Sequence, residues 1–236
     1  MSDWRLGVTP DQMREVDQRA EQEYGLTPFL LMENAGLAAA RVARTMLGPV
    51  AGRAIRILAG PGNNGGDGLV AARRLFGWGA AVTVHTAYDR DAARGLSRVE
   101  MDILDRIEVP TETWAGQDLG DADLVIDALL GFGARDAPRD ALEAMVLAAN
   151  AGGRPVLALD VPTGLDPELG GAAGAAVVAA ATVTLGLPKT GLLAPAAKPL
   201  VGRLWLADIG IPRGLLEAIG VDVAGLFADA DIVDLG

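Results

Sequence analysis

From residue 54 onward, short apolar runs alternate with longer amphipathic ones, and this alternation most narrows what the chain can fold into. The apolar runs are Ala54–Ala59, Ala81–His85, Leu124–Asp127, Pro155–Leu159, Ala181–Leu185 and Gly202–Leu206. Between the earlier ones lie Gly68–Trp78, Asp91–Ile107 and Asp140–Ala151, whose apolar residues fall at helical spacing. Near-continuous apolar strands separated by amphipathic helices predict an α/β fold with a parallel sheet covered on both faces. After residue 160 the helices thin out and the strands come closer together, which predicts mixed pairing at that edge. No repeat and no linker divides the chain, so one domain over residues 1–236 is expected, with residues 221–236 as a loosely held tail.

Two helices are expected ahead of the first strand. Thr9-Pro10-Asp11-Gln12 has a capping threonine, a proline at the first helical position and a glutamine able to reach back. Met13, Val16, Ala20 and Tyr24 then share one face. Thr27-Pro28 starts a second helix by the same device, ending at Gly48-Pro49. Both helices are expected across one face of the sheet.

The segment Gly60-Pro61-Gly62-Asn63-Asn64-Gly65-Gly66-Asp67-Gly68 follows the first strand and carries five glycines in nine positions. It reads as a bare loop entering a helix, where backbone N–H groups and the helix N-terminus can meet an anionic ligand. Two further polar clusters close strands: Asp127, followed by Gly131-Phe132-Gly133-Ala134-Arg135, and Asp160, followed by Val161-Pro162-Thr163-Gly164-Leu165-Asp166. Ligands of open parallel sheets lie beyond the carboxyl ends of the strands, so Asn64, Asp127, Asp160 and Thr163 are expected around one cleft. Asp166 fits a local Asx turn better than a ligand contact.

Composition removes several chemistries. There is no cysteine, a single histidine (His85) and two serines, Ser2 and Ser97. Thiolate catalysis, a Cys- or His-built zinc site and a Ser–His–Asp triad are therefore excluded. The net charge of −11 argues against nonspecific binding to nucleic acid or anionic membranes. No signal peptide or membrane span is evident, so a cytoplasmic location is expected. The glycines match a dinucleotide fingerprint only formally, because the next strand ends in His85-Thr86 without the acid that would hold a ribose. Lys189 reads either as a phosphate contact or as a plain surface lysine.

The runs GPGNNGGDGLVAARRL at 60–75, LVIDALLGFG at 124–133, DVPTGLD at 160–166, VTLGLPKTGLL at 183–193 and ADIGIP at 207–212, in that order, resemble the YjeF N-terminal domain family. The resemblance extends over about residues 7–215 and includes Leu30-Leu31-Met32-Glu33-Asn34-Ala35-Gly36 in the second helix. It implies a Rossmann-like three-layer α/β/α sandwich and an isomerase activity, the interconversion of the R and S forms of 6-hydrated NADH or NADPH in nucleotide repair. It further implies that Asn63, Asn64, Gly65, Gly66 and Asp67 hold the nucleotide. Gly131, Phe132, Gly133, Ala134, Arg135, Asp136 and Ala137 would share that task with the carboxylate of Asp160. Asn64, Asp127 and Thr163 would surround a potassium ion, Thr163 standing where serine is frequent. Arg135 would meet a phosphate.

Inversion at a carbon bearing a hydroxyl and a ring nitrogen requires a proton at oxygen and tolerance of positive charge on the ring. A carboxylate at the base of a cleft suits both, which makes Asp160 the candidate catalytic residue. Many bacterial members continue into a dehydratase domain. Here the epimerase alone is expected, with the dehydratase as a separate chain, and a homodimer is expected from family habit. The competing reading is a non-catalytic nucleotide-binding or scaffold member of the same fold. An NAD-dependent oxidoreductase is disfavoured by the missing ribose acid.

Overall fold

The computed structural model describes residues 7–236. Helix α1 (Pro10–Tyr24) opens with the expected capping box: the Thr9 hydroxyl accepts from the Gln12 N–H, and the Gln12 side chain accepts from the Thr9 N–H. Helix α2 (Pro28–Leu47) also follows a Thr-Pro pair, but Thr27 makes no side-chain cap bond, so only the proline half of the device is used. Then come β1 (Ala54–Ala59), α3 (Asn63–Gly77), β2 (Ala81–Thr86), α4 (Gly95–Arg106), β3 (Thr111–Thr113) and β4 (Leu124–Ala128). The chain continues through α5 (Asp140–Ala151), β5 (Val156–Leu159), β6 (Ala181–Leu185), the single turn α6 (Lys198–Val201), β7 (Arg203–Ala207), α7 (Arg213–Ala218) and β8 (Ile232–Asp234).

The eight strands form one sheet in the order β3-β2-β1-β4-β5-β6-β7-β8. Every neighbouring pair is parallel except β7–β8, which is antiparallel. The mixed edge is thus where it was expected, but its strand is not. Residues 232–234 pair with β7, and Arg203 binds Asp234 across the pair, so this segment is a sheet edge rather than a loose tail. The region expected as one helix over 91–107 is a short 3₁₀ turn at Arg90–Ala92 followed by α4.

Alternation along the strands builds two cores. Ile55 and Ile57 of β1, Leu124 and Ile126 of β4, and Leu157 and Leu159 of β5 face α1, α2, α3, α4 and α7. Leu58, Val125, Val156 and Ala158 face the other way, onto Met145, Val146 and Ala149 of α5. This gives the three-layer α/β/α arrangement, with the heavier helical layer on the side of α1 and α2.

One consequence of the strand order positions the site. The chain runs outward from β1 through β2 to β3, then returns to place β4 on β1's other side. The exits of β1 and β4 therefore diverge and leave a crevice between them, the usual ligand position in such sheets.

Candidate active site

The crevice begins where the backbones of the β1 and β4 exits touch. The Gly60 N–H donates to the Ala128 carbonyl at 3.0 Å. A Cβ at Gly60 would lie 1.8 Å from the Leu129 carbonyl oxygen, so no larger residue fits. Helix α3 then starts at Asn63, with Gly62 at its N-cap. The expected bare loop is therefore the first turn and a half of a helix, a correction with a packing reason. Gly65 faces the Gly60 carbonyl so closely that a Cβ would lie 1.8 Å from it, and Gly66 sits against Met32. These glycines let the helix start early and deep. They line neither cavity described below.

Strand β5 ends abruptly. The Val161 N–H donates to the Leu159 carbonyl at 2.9 Å, a three-residue turn centred on Asp160, whose φ is +67°. A non-glycine residue in this region is strained, and such strain concentrates at functional sites. The turn aims the Asp160 carboxylate at the crevice. One oxygen accepts from the Phe132 N–H at 2.9 Å and the other from Lys189 Nζ at 2.5 Å. Lys189 also donates to the Leu185 carbonyl at 3.0 Å, and its side chain is only 1% exposed. It is therefore neither a surface lysine nor a free phosphate contact but the buried partner of Asp160. The segment before α1 holds it in place, since the Val8 N–H donates to the Pro188 carbonyl and the Thr190 N–H to the Val8 carbonyl.

Asp160 and Lys189 look into an inner cavity of about 460 Å³. Its wall is mostly apolar, with Met13, Leu31, Met32, Ala35, Leu129 and Ile209, and its polar groups are Arg14, Asp17, Asn63, Asn64, Asp67, Asp160 and Lys189. Gly131, Phe132, Gly133 and Ala134 complete it. The Phe132 ring lies 5.1 Å from Lys189 Nζ and 6.0 Å from the Arg14 guanidinium carbon. An outer cavity of about 570 Å³ adjoins across Arg14, Gly131 and Phe132 and takes in Arg135, Asp136, Ala137 and Asp166. Arg135 is 79% exposed there, with only a 3.9 Å approach to Asp11, so it is free to swing onto an anion. Asp166 makes the expected Asx turn, accepting from the Glu168 and Leu169 N–H groups.

Asp127 and Thr163 lie beneath this floor, both fully buried. The Asp127 carboxylate accepts from the Thr163 N–H at 2.8 Å, the Thr163 hydroxyl at 2.7 Å and the Leu129 N–H at 3.2 Å. The Thr163 hydroxyl in turn accepts from the Leu130 N–H. Together they shape the loop at 129–131. Across that loop, a Cβ placed on Gly131 would lie 3.3 Å from Asn64 Cβ and 3.1 Å from Asp160 Oδ2. Asn64 and Asp160 thus flank one glycine, and the three strand ends do converge. His85 does not: it is buried at the end of β2, edge-on to Trp114, and lines neither cavity.

Electrostatically the inner cavity is crowded with acids. Burial pushes Asp67 well above the ordinary carboxylate range, with help from Asp160 and Asp17. Burial also raises Asp17 to about 6, against the pull of Lys189 and with a further push from Asp160. Asp127 is raised to about 6 by burial, opposed by its bonds from Thr163 and Leu129.

Residues 29–191 match the family model described as YjeF-related protein N-terminus. The chain belongs to the YjeF N-terminal family. A relative named NAD(P)H-hydrate epimerase from Dehalogenimonas lykanthroporepellens is 37% identical over 215 residues, covering 91% of this chain and 86% of the relative. A second of that name, from Pirellula staleyi, is 37% identical and covered over 93% of its length. A bifunctional NAD(P)H-hydrate repair enzyme Nnr from Moorella thermoacetica is 38% identical, and this chain spans 41% of it. The crystal structure of the yeast protein YNL200c matches 97% of this chain with a TM-score of 0.81 at 25% identity. Among the described residues, no helix is long and apolar enough to cross a membrane.

Two features of the cavity were not singled out from sequence: the pairing of Lys189 with Asp160, and the position of Asp17. Lys189 carried one usable signal, its place in a Gly-Pro-rich turn after a strand. Asp17 carried almost none, since an acid beside the apolar stripe of an amphipathic helix is ordinary.

Proposed function

We propose that the chain is an NAD(P)H-hydrate epimerase, an isomerase that interconverts the R and S forms of 6-hydrated NADH and NADPH. The observation that carries this reading is Asp160: a strained, buried carboxylate, fixed by Lys189 and the Phe132 N–H, facing a largely apolar cavity at a dinucleotide-type crevice. The inner cavity suits the hydrated ring, and the outer one, with Arg135 free, suits the phosphates and the remaining nucleoside. Loss of the 6-hydroxyl leaves positive charge on the ring. A preorganised carboxylate stabilises that charge best where water is scarce. Each Asp160 oxygen accepts one hydrogen bond, which holds the carboxylate in a fixed orientation toward the ring.

We further infer a monovalent cation site formed by Asn64, Asp127 and Thr163. Both polar atoms of the Asn64 amide are buried without a partner, and Asp127 is a fully buried carboxylate with no basic partner among the described residues. The donors are all oxygens, which suit a hard cation. Potassium there would offset the buried charge of Asp127 and tie α3 to the loop at 129–131. A melting temperature that rises in KCl but not in a large organic cation salt supports the site.

The test of the activity is chiral separation of the hydrate epimers after incubation with the protein. An unequal starting mixture relaxing to equilibrium supports the reading, and an unchanged ratio overturns it. The S form would then pass to a dehydratase.

A further inference from the structure

Met13 and Arg14 lie one turn before Asp17 on α1, and the three form the strip of that helix that borders the inner cavity. Asp17 is half-buried there. It has no hydrogen bond or ion pair among the described residues, and it lies within electrostatic reach of both Lys189 and Asp160. The other charged groups around the cavity are Arg14 on the same helix, Asp67 on α3, Asp160 beyond β5 and Lys189 beyond β6. Asp160 is committed to two donors. Asp67 is buried more deeply, in the wall made by α3. Asp17 and Asp67 both lack a hydrogen-bond donor among the described residues, and Asp17 is the less buried of the two and so the more open to a ligand.

We propose that Asp17 is a second catalytic carboxyl and that it, rather than Asp160, exchanges the proton with the 6-hydroxyl of the substrate. This rests on the epimerase reading. Protonated Asp17 gives its proton to the hydroxyl oxygen. The C6–O bond breaks with its electron pair, water departs, and the ring-nitrogen lone pair forms the C=N bond of a cation stabilised by Asp160. Water then adds to the other face of C6, the C=N pair returns to nitrogen, and the proton lost by that water returns to Asp17. No oxidant, reductant or further reactant is needed.

The charge layout gives the pH dependence its sign. Burial and Asp160 raise Asp17 to about 6, so the acid form is abundant below that value and is lost above it. With the free enzyme reporting through kcat/KM, the profile falls on the alkaline side of about 6.

The experiment compares wild type, Asp17→Asn and Asp17→Ala by chiral separation of the epimers over pH 5 to 9, with added formate for the alanine variant. The expected result for Asp17→Asn is a loss in kcat on the order of 10²–10⁴-fold with KM changed by less than about threefold, and no alkaline fall near pH 6. Formate restores part of the Asp17→Ala rate, which a merely structural role would not allow. Wild type epimerising while Asp17→Asn keeps its kcat and its pH limb overturns the Asp17 proposal alone. Wild type failing to epimerise overturns the reading beneath it. If the variants do not fold, the wild-type profile decides, and the absence of an alkaline fall overturns the proposal.

Discussion

The ends of β5 and β6 are built from the same backbone turn. After β5 the Val161 N–H reaches back to the Leu159 carbonyl, and after β6 the Leu187 N–H reaches back to the Leu185 carbonyl at 2.8 Å. The central residues have nearly equal φ, +67° at Asp160 and +69° at Gly186. At Gly186 the residue type follows the conformation, because glycine takes this region freely and a Cβ would meet Ile211 at 2.8 Å. At Asp160 it opposes the conformation, costing on the order of 1–2 kcal/mol. The β6 turn is set by the fold. The β5 turn holds a carboxylate where folding alone would favour glycine, and the side chain placed there meets Lys189 and the cavity.

The strongest way to break this comparison is to remove the carboxylate. Asp160→Ala is expected to lower kcat on the order of 10²–10³-fold, the usual effect of deleting a preorganised electrostatic group. An epimer assay at the wild-type rate would show that the strain at Asp160 has nothing to do with turnover. Truncating the other half of the pair tests the fold instead. Lys189→Met leaves a buried carboxylate with only the Phe132 N–H, and the expected loss of stability is about 3–5 kcal/mol in urea unfolding. A loss below about 1 kcal/mol would mean that Asp160 is better solvated than its burial implies.

The comparison also shows what could be read from sequence. Asp160 and Asn64 stood out because polar residues at strand ends beside glycine are unusual in apolar runs, and Thr9 with Gln12 announced a cap that forms. The start of α3 did not, because Gly65, Gly66 and Gly68 have poor helix propensity and read as loop. Their reason for being helical lies elsewhere in the chain, in Gly60, Met32 and Ala128, against which they pack. The burial of Lys189 against Asp160 and the position of Asp17 were missed for the same kind of reason. A lysine in a turn and an acid on an amphipathic helix become buried only when β6, the segment before α1, and α1 itself close over the cavity. The edge strand at 232–234 is three residues long and has no pattern of its own beyond Asp234 facing Arg203.

A smaller effect is expected at the glycine turn. Gly186→Ala combines an unfavourable φ with the contact on Ile211, and a destabilisation of about 2–3 kcal/mol is expected in the same urea assay. Equal stability to wild type would mean that Ile211 and Met13 give way, and that the two turns differ less in their packing than the distances indicate.

The smallest effect is the most direct measure of strain at β5. Asp160→Gly/Lys189→Met and Asp160→Ala/Lys189→Met both remove the ion pair, and they differ only in what occupies the left-handed position. The glycine double variant should be the more stable. The conformational term favours it by about 1–2 kcal/mol. The larger entropy of glycine in the unfolded chain takes back about 0.4–1 kcal/mol. The net difference expected from urea midpoints is therefore roughly 0.5–1 kcal/mol, combining these two effects. It has the opposite sign to glycine-versus-alanine at most helix and strand positions. A more stable alanine variant would show that the φ at residue 160 is imposed by the Lys189 and Phe132 contacts alone and relaxes once they are gone. In that case the strain would belong to the assembled site and not to the turn.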